Sequence, residues 1–196
     1  LRHREKDRPK IILGIDPGSI ICGYGIIRVE APGRGLAEPA SSGYPAHRHA
    51  ATSAQNPVYI ASGRIELSSK SPLHIRLKEI YDAFMDIIKE YSPDEAAVEK
   101  IFFAKSVKSA LTLGHARGAA LLAAASCNLQ VREYSALEVK KAVVGYGRAE
   151  KHQVQGMVAK LLNIKFKLSS DSADALAVAL CHTNTLTIDL CRKALP

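Results

Sequence analysis

The sequence reads as an α/β domain, a mixed β-sheet of three antiparallel strands followed by parallel ones, flanked by α-helices. Three observations carry that reading. Two short apolar runs are separated by an Asp-Pro-Gly turn cluster, a third apolar run follows a Pro-rich stretch, and helical periodicity then alternates with short strand-like segments.

Lys10 to Ile15 (KIILGI) is stopped by Asp16-Pro17-Gly18, and Gly23 to Val29 (GYGIIRV) follows, so the pair forms a β-hairpin with Asp16 at a strand end. Between about 31 and 57 lie four prolines and three glycines among Ala, Ser and His, without periodicity, which marks a surface loop insertion. Val58 to Leu67 resumes as the third strand. Leu73, Leu77, Ile80, Tyr81, Phe84, Ile87, Ile88 and Tyr91 recur at helical spacing, and Pro93 closes that helix. Ala96-Ala97-Val98-Glu99 is a short buried strand ending in a carboxylate. Ser106 to Ser126 forms a long helix rich in small residues, and Gln130 to Tyr134 another strand. Ser135 to Glu138 spells a capping box, in which the serine hydroxyl and the glutamate three residues later satisfy free backbone N–H groups. Further helices run from about Glu150 to Asn163 and from Asp171 to about Thr183. The division expected is a solvated arm at 1–9, one domain at 10–184 and a C-terminal tail at 185–196.

The net charge of +8 is concentrated in one stretch. Residues 1–99 carry 13 basic and 13 acidic side chains, residues 100–167 carry 12 and 3, and residues 168–196 carry 2 and 3. A clustered excess of cations suits a polyanion such as nucleic acid; a membrane surface or a merely solvated face are the competing explanations. No run approaches the ~20 apolar residues of a membrane span. The four cysteines are scattered without metal-binding or disulfide spacing, so the chain reads as a reduced, cytoplasmic protein.

Against that basic background, several acids stand beside apolar segments. Asp16 ends the first strand, Glu99 ends the fourth, and Asp171 and Asp174 lie three apart at the start of an apolar helix, on one face. Crowded carboxylates raise one another's pKa and are relieved by hard divalent cations, Mg²⁺ or Mn²⁺; two such ions can activate water and stabilise a leaving oxygen in phosphodiester hydrolysis. Taken singly, Asp171 and Asp174 also fit a helix N-terminus, and Asp16 fits a turn.

Five blocks in order carry a family resemblance. Ile12 to Ser19 with Gly23-Tyr24-Gly25, Ala97 to Lys105, Ser109 to Gly118, Val139 to Gly145 with Ala149-Glu150-Lys151, and Asp171 to Ala177 resemble the motifs of the RuvC family of Holliday junction resolvases. The resemblance implies a ribonuclease H-like fold and a homodimeric, Mg²⁺-dependent endonuclease that nicks a four-way DNA junction symmetrically. It implies that Asp16, Glu99, Asp171 and Asp174 are the catalytic, metal-binding carboxylates, and that Lys140 and Lys151 engage DNA near the cut. Phe102 would stack on an unpaired base at the crossover, with Lys105 and Lys108 as further DNA contacts. Branch-migration proteins RuvA and RuvB are the partners such enzymes act with. The arm and much of the insertion lie outside the usual layout, and Lys100 stands where a neutral amide or an acid is common.

Gly114 and Gly118 lie four apart in the long helix, where glycine costs about 1 kcal/mol each relative to alanine. A second helix packed closely against them, within the protomer or across a two-fold axis, would account for both. Three rival readings are weighed against the resemblance. An actin or sugar-kinase relative needs a second Gly-rich phosphate loop, a ribonuclease H-like enzyme could act on RNA, and a junction-binding module could have lost cleavage.

Overall fold

The computed structural model describes residues 8–30, 57–100 and 106–194, with side chains to residue 186. Most of the arm, the stretch 31–56, Phe102 and Lys105 lie outside the described residues. The elements are β1 (Lys10–Asp16), β2 (Ile21–Val29), β3 (Pro57–Glu66), α1 (Leu73–Tyr91), β4 (Glu95–Glu99), α2 (Val107–Ser126), β5 (Gln130–Tyr134), α3 (Ala136–Val144), α4 (Lys151–Leu161) and α5 (Ser170–Ala194).

The five strands form one sheet in the order β3-β2-β1-β4-β5. β1 pairs antiparallel with β2, and β2 with β3; β4 joins β1 in parallel, and β5 joins β4 in parallel. Side chains alternate between the faces of each strand, and each face collects its own apolar cluster. On one face Leu13, Ile15, Ile26, Ala96 and Val98 meet Ile80 and Phe84 of α1 and Ala116, Ala120 and Ala123 of α2. On the other, Ile12, Ile27 and Ala97 meet α5 through Leu176 and Val178, with Val139 of α3 and Val154 and Val158 of α4 closing over it.

Local chemistry sets the element ends. Ser92 takes a left-handed conformation (φ 45°) with its N–H on the Ile88 carbonyl, and Pro93 then prevents α1 from continuing. Ser135 and Glu138 form the expected capping box, and Gly145 (φ 91°) ends α3.

One element departs from expectation. The helix expected to stop near Thr183 and give way to a tail at 185–196 instead runs to Ala194. The Thr- and Asn-rich run after His182 resembles a helix end because hydroxyl and amide side chains compete with the backbone. Here Thr183 and Thr185 donate to the Ala179 and Cys181 carbonyls one turn back, at 3.1 and 3.2 Å, and the helix carries on. Among the described residues no helix is long and apolar enough to cross a membrane.

Candidate active site

Asp16 and Glu99 end β1 and β4, neighbouring strands of the sheet. The β1–β4 ladder pairs Ile15 with Val98, so the next residue on each strand brings the two carboxylates side by side at one end of the sheet. Both face α5. Gly14, two residues before Asp16, lies against α5, and Ala97, two before Glu99, belongs to the α5-side cluster.

Missing side chains let α5 sit this close. A Cβ on Gly14 would lie 2.0 Å from the Ala175 carbonyl oxygen, and one on Gly23 would lie 2.1 Å from that of Asp171. Gly23 is paired with Asp16 across the β1–β2 ladder, so the contact delivers the first turn of α5 to the acids. Ser169 starts that turn, its Oγ accepting from the Ser172 N–H at 3.1 Å. Sequence reasoning used these glycines only as motif letters and missed their role as helix seats. The available signal was glycine at alternate strand positions beside the acid.

The electrostatics record the convergence. Burial pushes the Asp16 carboxyl up to about 7, and the charges of Asp174, Glu99 and Asp171 push in the same direction while Lys151 opposes them. Glu99 is raised by burial and by Asp174, and lowered by Lys151 and Lys140. Asp16 thus feels all three of the other sequence-predicted acids.

Lys151 is the first residue of α4, where a cation opposes the helix dipole. Its Nζ stands 2.6 Å from Asp174 Oδ2. Burial disfavours its charge, but the Asp174 hydrogen bond and the charges of Asp174, Asp16 and Asp171 hold the ammonium above the ordinary lysine value. The Glu150 N–H donates to Gln153 Oε1 at 2.9 Å and the Gln153 N–H to the Glu150 carbonyl, which fixes where Lys151 emerges. A cleft of about 240 Å³ opens on Glu99, Asp174, Lys140 and Lys151, walled by Ala136, Val139, Val154 and Ala177. Lys108 is exposed in the first turn of α2, and among the described residues nothing links it to the acids.

The donors are all carboxylate oxygens, and burial together with neighbouring acids disfavours the charge on two of them, Asp16 and Glu99, which suits a hard divalent cation. Among the described residues, however, no group of three or more His, Cys, Asp and Glu side chains is arranged to hold a metal ion.

The chain resembles known proteins over most of its length. The family model for crossover junction endodeoxyribonuclease RuvC matches residues 32–182. That stretch begins inside the segment read as an insertion and holds Glu99, Asp171 and Asp174; Asp16 precedes it. The crossover junction endodeoxyribonuclease RuvC of Shewanella pealeana is 47% identical over 175 residues, 89% of this chain and 87% of its own. The Thermus thermophilus RuvC structure superposes with a TM-score of 0.75 at 29% identity, covering 91% of this chain and 96% of that one. T. thermophilus RuvC in complex with Holliday junction substrate gives 0.76 at 28% identity, covering 92% and 96%. The mixed sheet with helices on both faces is the ribonuclease H-like architecture of those structures.

Proposed function

The chain belongs to the RuvC family of crossover junction endodeoxyribonucleases, and from that membership we propose how it acts. It resolves four-way (Holliday) DNA junctions by paired symmetric nicks, in recombination and repair, through metal-assisted phosphodiester hydrolysis. Asp16, Glu99, Asp171 and Asp174 are the catalytic carboxylates. The observation that carries this assignment is the electrostatic convergence of these four acids, from β1, β4 and the start of α5, beside Lys151 and Lys140.

The four carboxylates would hold Mg²⁺, as two ions per site with Mn²⁺ able to substitute; the metal supplies an activated water and charge stabilisation at the leaving oxygen. The chain's own residues do the rest. Asp16, raised by burial and its neighbours, would be held in its charged form when such an ion is bound. Lys151 balances Asp174 until a phosphate arrives, and with Lys140 it then grips the backbone across the cleft. Phe102, in the segment following Glu99, stacks on an unpaired base at the crossover, a contact of about 1–3 kcal/mol. Lys105 and Lys108 extend the cationic path.

Two matched cuts call for two sites, and the outer face of α2 supports a homodimer. Val107, Leu111 and Leu122 are 78%, 59% and 59% exposed on the face that carries Gly114 and Gly118. A Cβ on either glycine would meet nothing within 4 Å, so among the described residues the protomer itself does not explain them. A second copy packed on this stripe does. The family resemblance extends the proposal to RuvA and RuvB as partners and to a cytoplasmic location, beside bacterial DNA.

The test is cleavage of a mobile four-way junction under Mg²⁺, mapping both cut positions, in competition with duplex DNA and structured RNA. Paired nicks of like polarity at symmetric positions are expected. Tight junction binding without nicking at any Mg²⁺ or Mn²⁺ concentration would instead mark a binding module, and preferential RNA cleavage a different nuclease.

A further inference from the structure

Two polar side chains are buried between the sheet and α5, away from the acids and unused by the reaction proposed above. Glu95 is 7% exposed and His182 is 1% exposed. His182 Nε2 stands 3.0 Å from Glu95 Oε2, and its Nδ1 stands 2.7 Å from the Tyr134 hydroxyl. Lys10 Nζ donates to the other oxygen of Glu95. A buried ionic group of this kind is weak evidence for stability, because well-packed apolar residues of similar volume often serve as well or better; its best-attested use is to specify register.

The geometry gives it a register to specify. Glu95, Ala97 and Glu99 share the α5-facing side of β4, since side chains on a strand alternate. On α5, positions 174, 178 and 182 follow one stripe at four-residue intervals. Glu95 to Glu99 spans about 13 Å of strand, and Asp174 to His182 spans about 12 Å of helix. The two lengths match, so a tie between His182 and Glu95 at one end brings Asp174 level with Glu99 at the other.

Gly14 and Gly23 set how closely α5 approaches β1 and β2, whereas the small groups Ala97, Ala177 and Ala179 of the same cluster resist a slide of one helical residue, about 1.5 Å, less sharply than a directional hydrogen bond does. Tyr134 braces the tie sideways. It pairs with Glu99 in the β4–β5 ladder while its hydroxyl reaches back to His182.

We propose that His182 and Glu95 are positioning residues for junction cleavage: their buried tie, braced by Tyr134, sets the register of α5 on β4 and so holds Asp171 and Asp174 level with Asp16 and Glu99. The inference rests on the assignment of the four acids made above.

His182→Leu severs the tie in an apolar setting, and His182→Gln restores one donor toward Glu95. The Leu variant should melt cooperatively and bind the junction without metal within twofold of the parent. Its Mg²⁺-dependent nicking at saturating junction should fall at least tenfold. Mn²⁺ affinity of the DNA-free protein, read by electron paramagnetic resonance, should weaken at least tenfold, the scale on which outer-sphere supports of metal ligands act. His182→Gln should recover most of both losses. If the Leu variant does not fold, Tyr134→Phe decides, with an expected two- to fivefold weakening of Mn²⁺ binding against no change. A folded Leu variant, or in its place Tyr134→Phe, whose nicking and Mn²⁺ affinity match the parent overturns the proposal. A parent that never nicks the junction refutes the assignment of the acids, whereas a parent and a Leu variant that nick equally refute only the register tie.

Discussion

Replacing Asp16 by Asn should make the metal-free protein more stable while abolishing its activity, and the structure gives the size and pH window of the gain. The Asp16 carboxyl titrates at about 7 in the fold and near 3.8 when free. Between those values the folded chain keeps a proton that the unfolded chain has lost, so the native state loses stability as pH rises from about 3.8 to about 7. Above pH 7 the full cost of the buried, crowded carboxylate is present. A shift of about three units at ~1.4 kcal/mol each sets an upper limit near 4 kcal/mol. Solvent at the partly exposed carboxylate reduces it, so a gain of roughly 2–4 kcal/mol is expected for Asp16→Asn at pH 8. For a chain of this size that corresponds to roughly 5–10 °C in Tm. The assay is thermal unfolding of parent and variant in chelator from pH 4.5 to 8.5, repeated with excess Mg²⁺. The variant's advantage should be small at pH 4.5, grow to about pH 7 and then level off. Mg²⁺ should narrow it by stabilising the parent, which binds the ion, more than the variant. A variant no more stable than the parent at pH 8, or an advantage independent of pH, would refute the reasoning.

Glu99→Gln and Asp174→Asn should each abolish nicking in a junction-cleavage assay while gel-shift binding of the junction survives. Lys151→Ala should lower nicking at least tenfold at saturating Mg²⁺, and the salt slope of junction affinity should flatten by about one phosphate contact. Gly23→Ala would drive a methyl group into the Asp171 carbonyl; it should lower stability by about 1–3 kcal/mol in thermal melts and reduce nicking, because the first turn of α5 must retreat from Asp16. Leu111→Glu combined with Leu122→Glu should convert a dimer into a folded monomer, read by sedimentation or light scattering, and uncouple the two cuts.

Much of the fold was legible because its signals are local. Asp-Pro-Gly after an apolar run marks a strand end, eight apolar positions at helical spacing mark α1, and Ser135 with Glu138 marks the start of α3. The four candidate acids could be named singly and, through the motif blocks, proposed as a set. The length of α5 was not, because Thr183 and Thr185 look like helix terminators until their hydroxyls are seen bonded one turn back.

The sequence by itself determined the kind of fold, the family, the clustered cations and the four candidate carboxylates. Each of these is written in neighbouring residues or in ordered blocks. Only the tertiary structure decided that Gly14 and Gly23 seat α5 against the sheet, that Lys151 reaches Asp174, and that Glu95 and His182 meet in the core. Those facts depend on how far one element slides along another. That distance comes from packing and buried hydrogen bonds between residues as far as 87 positions apart, so no local pattern encodes it.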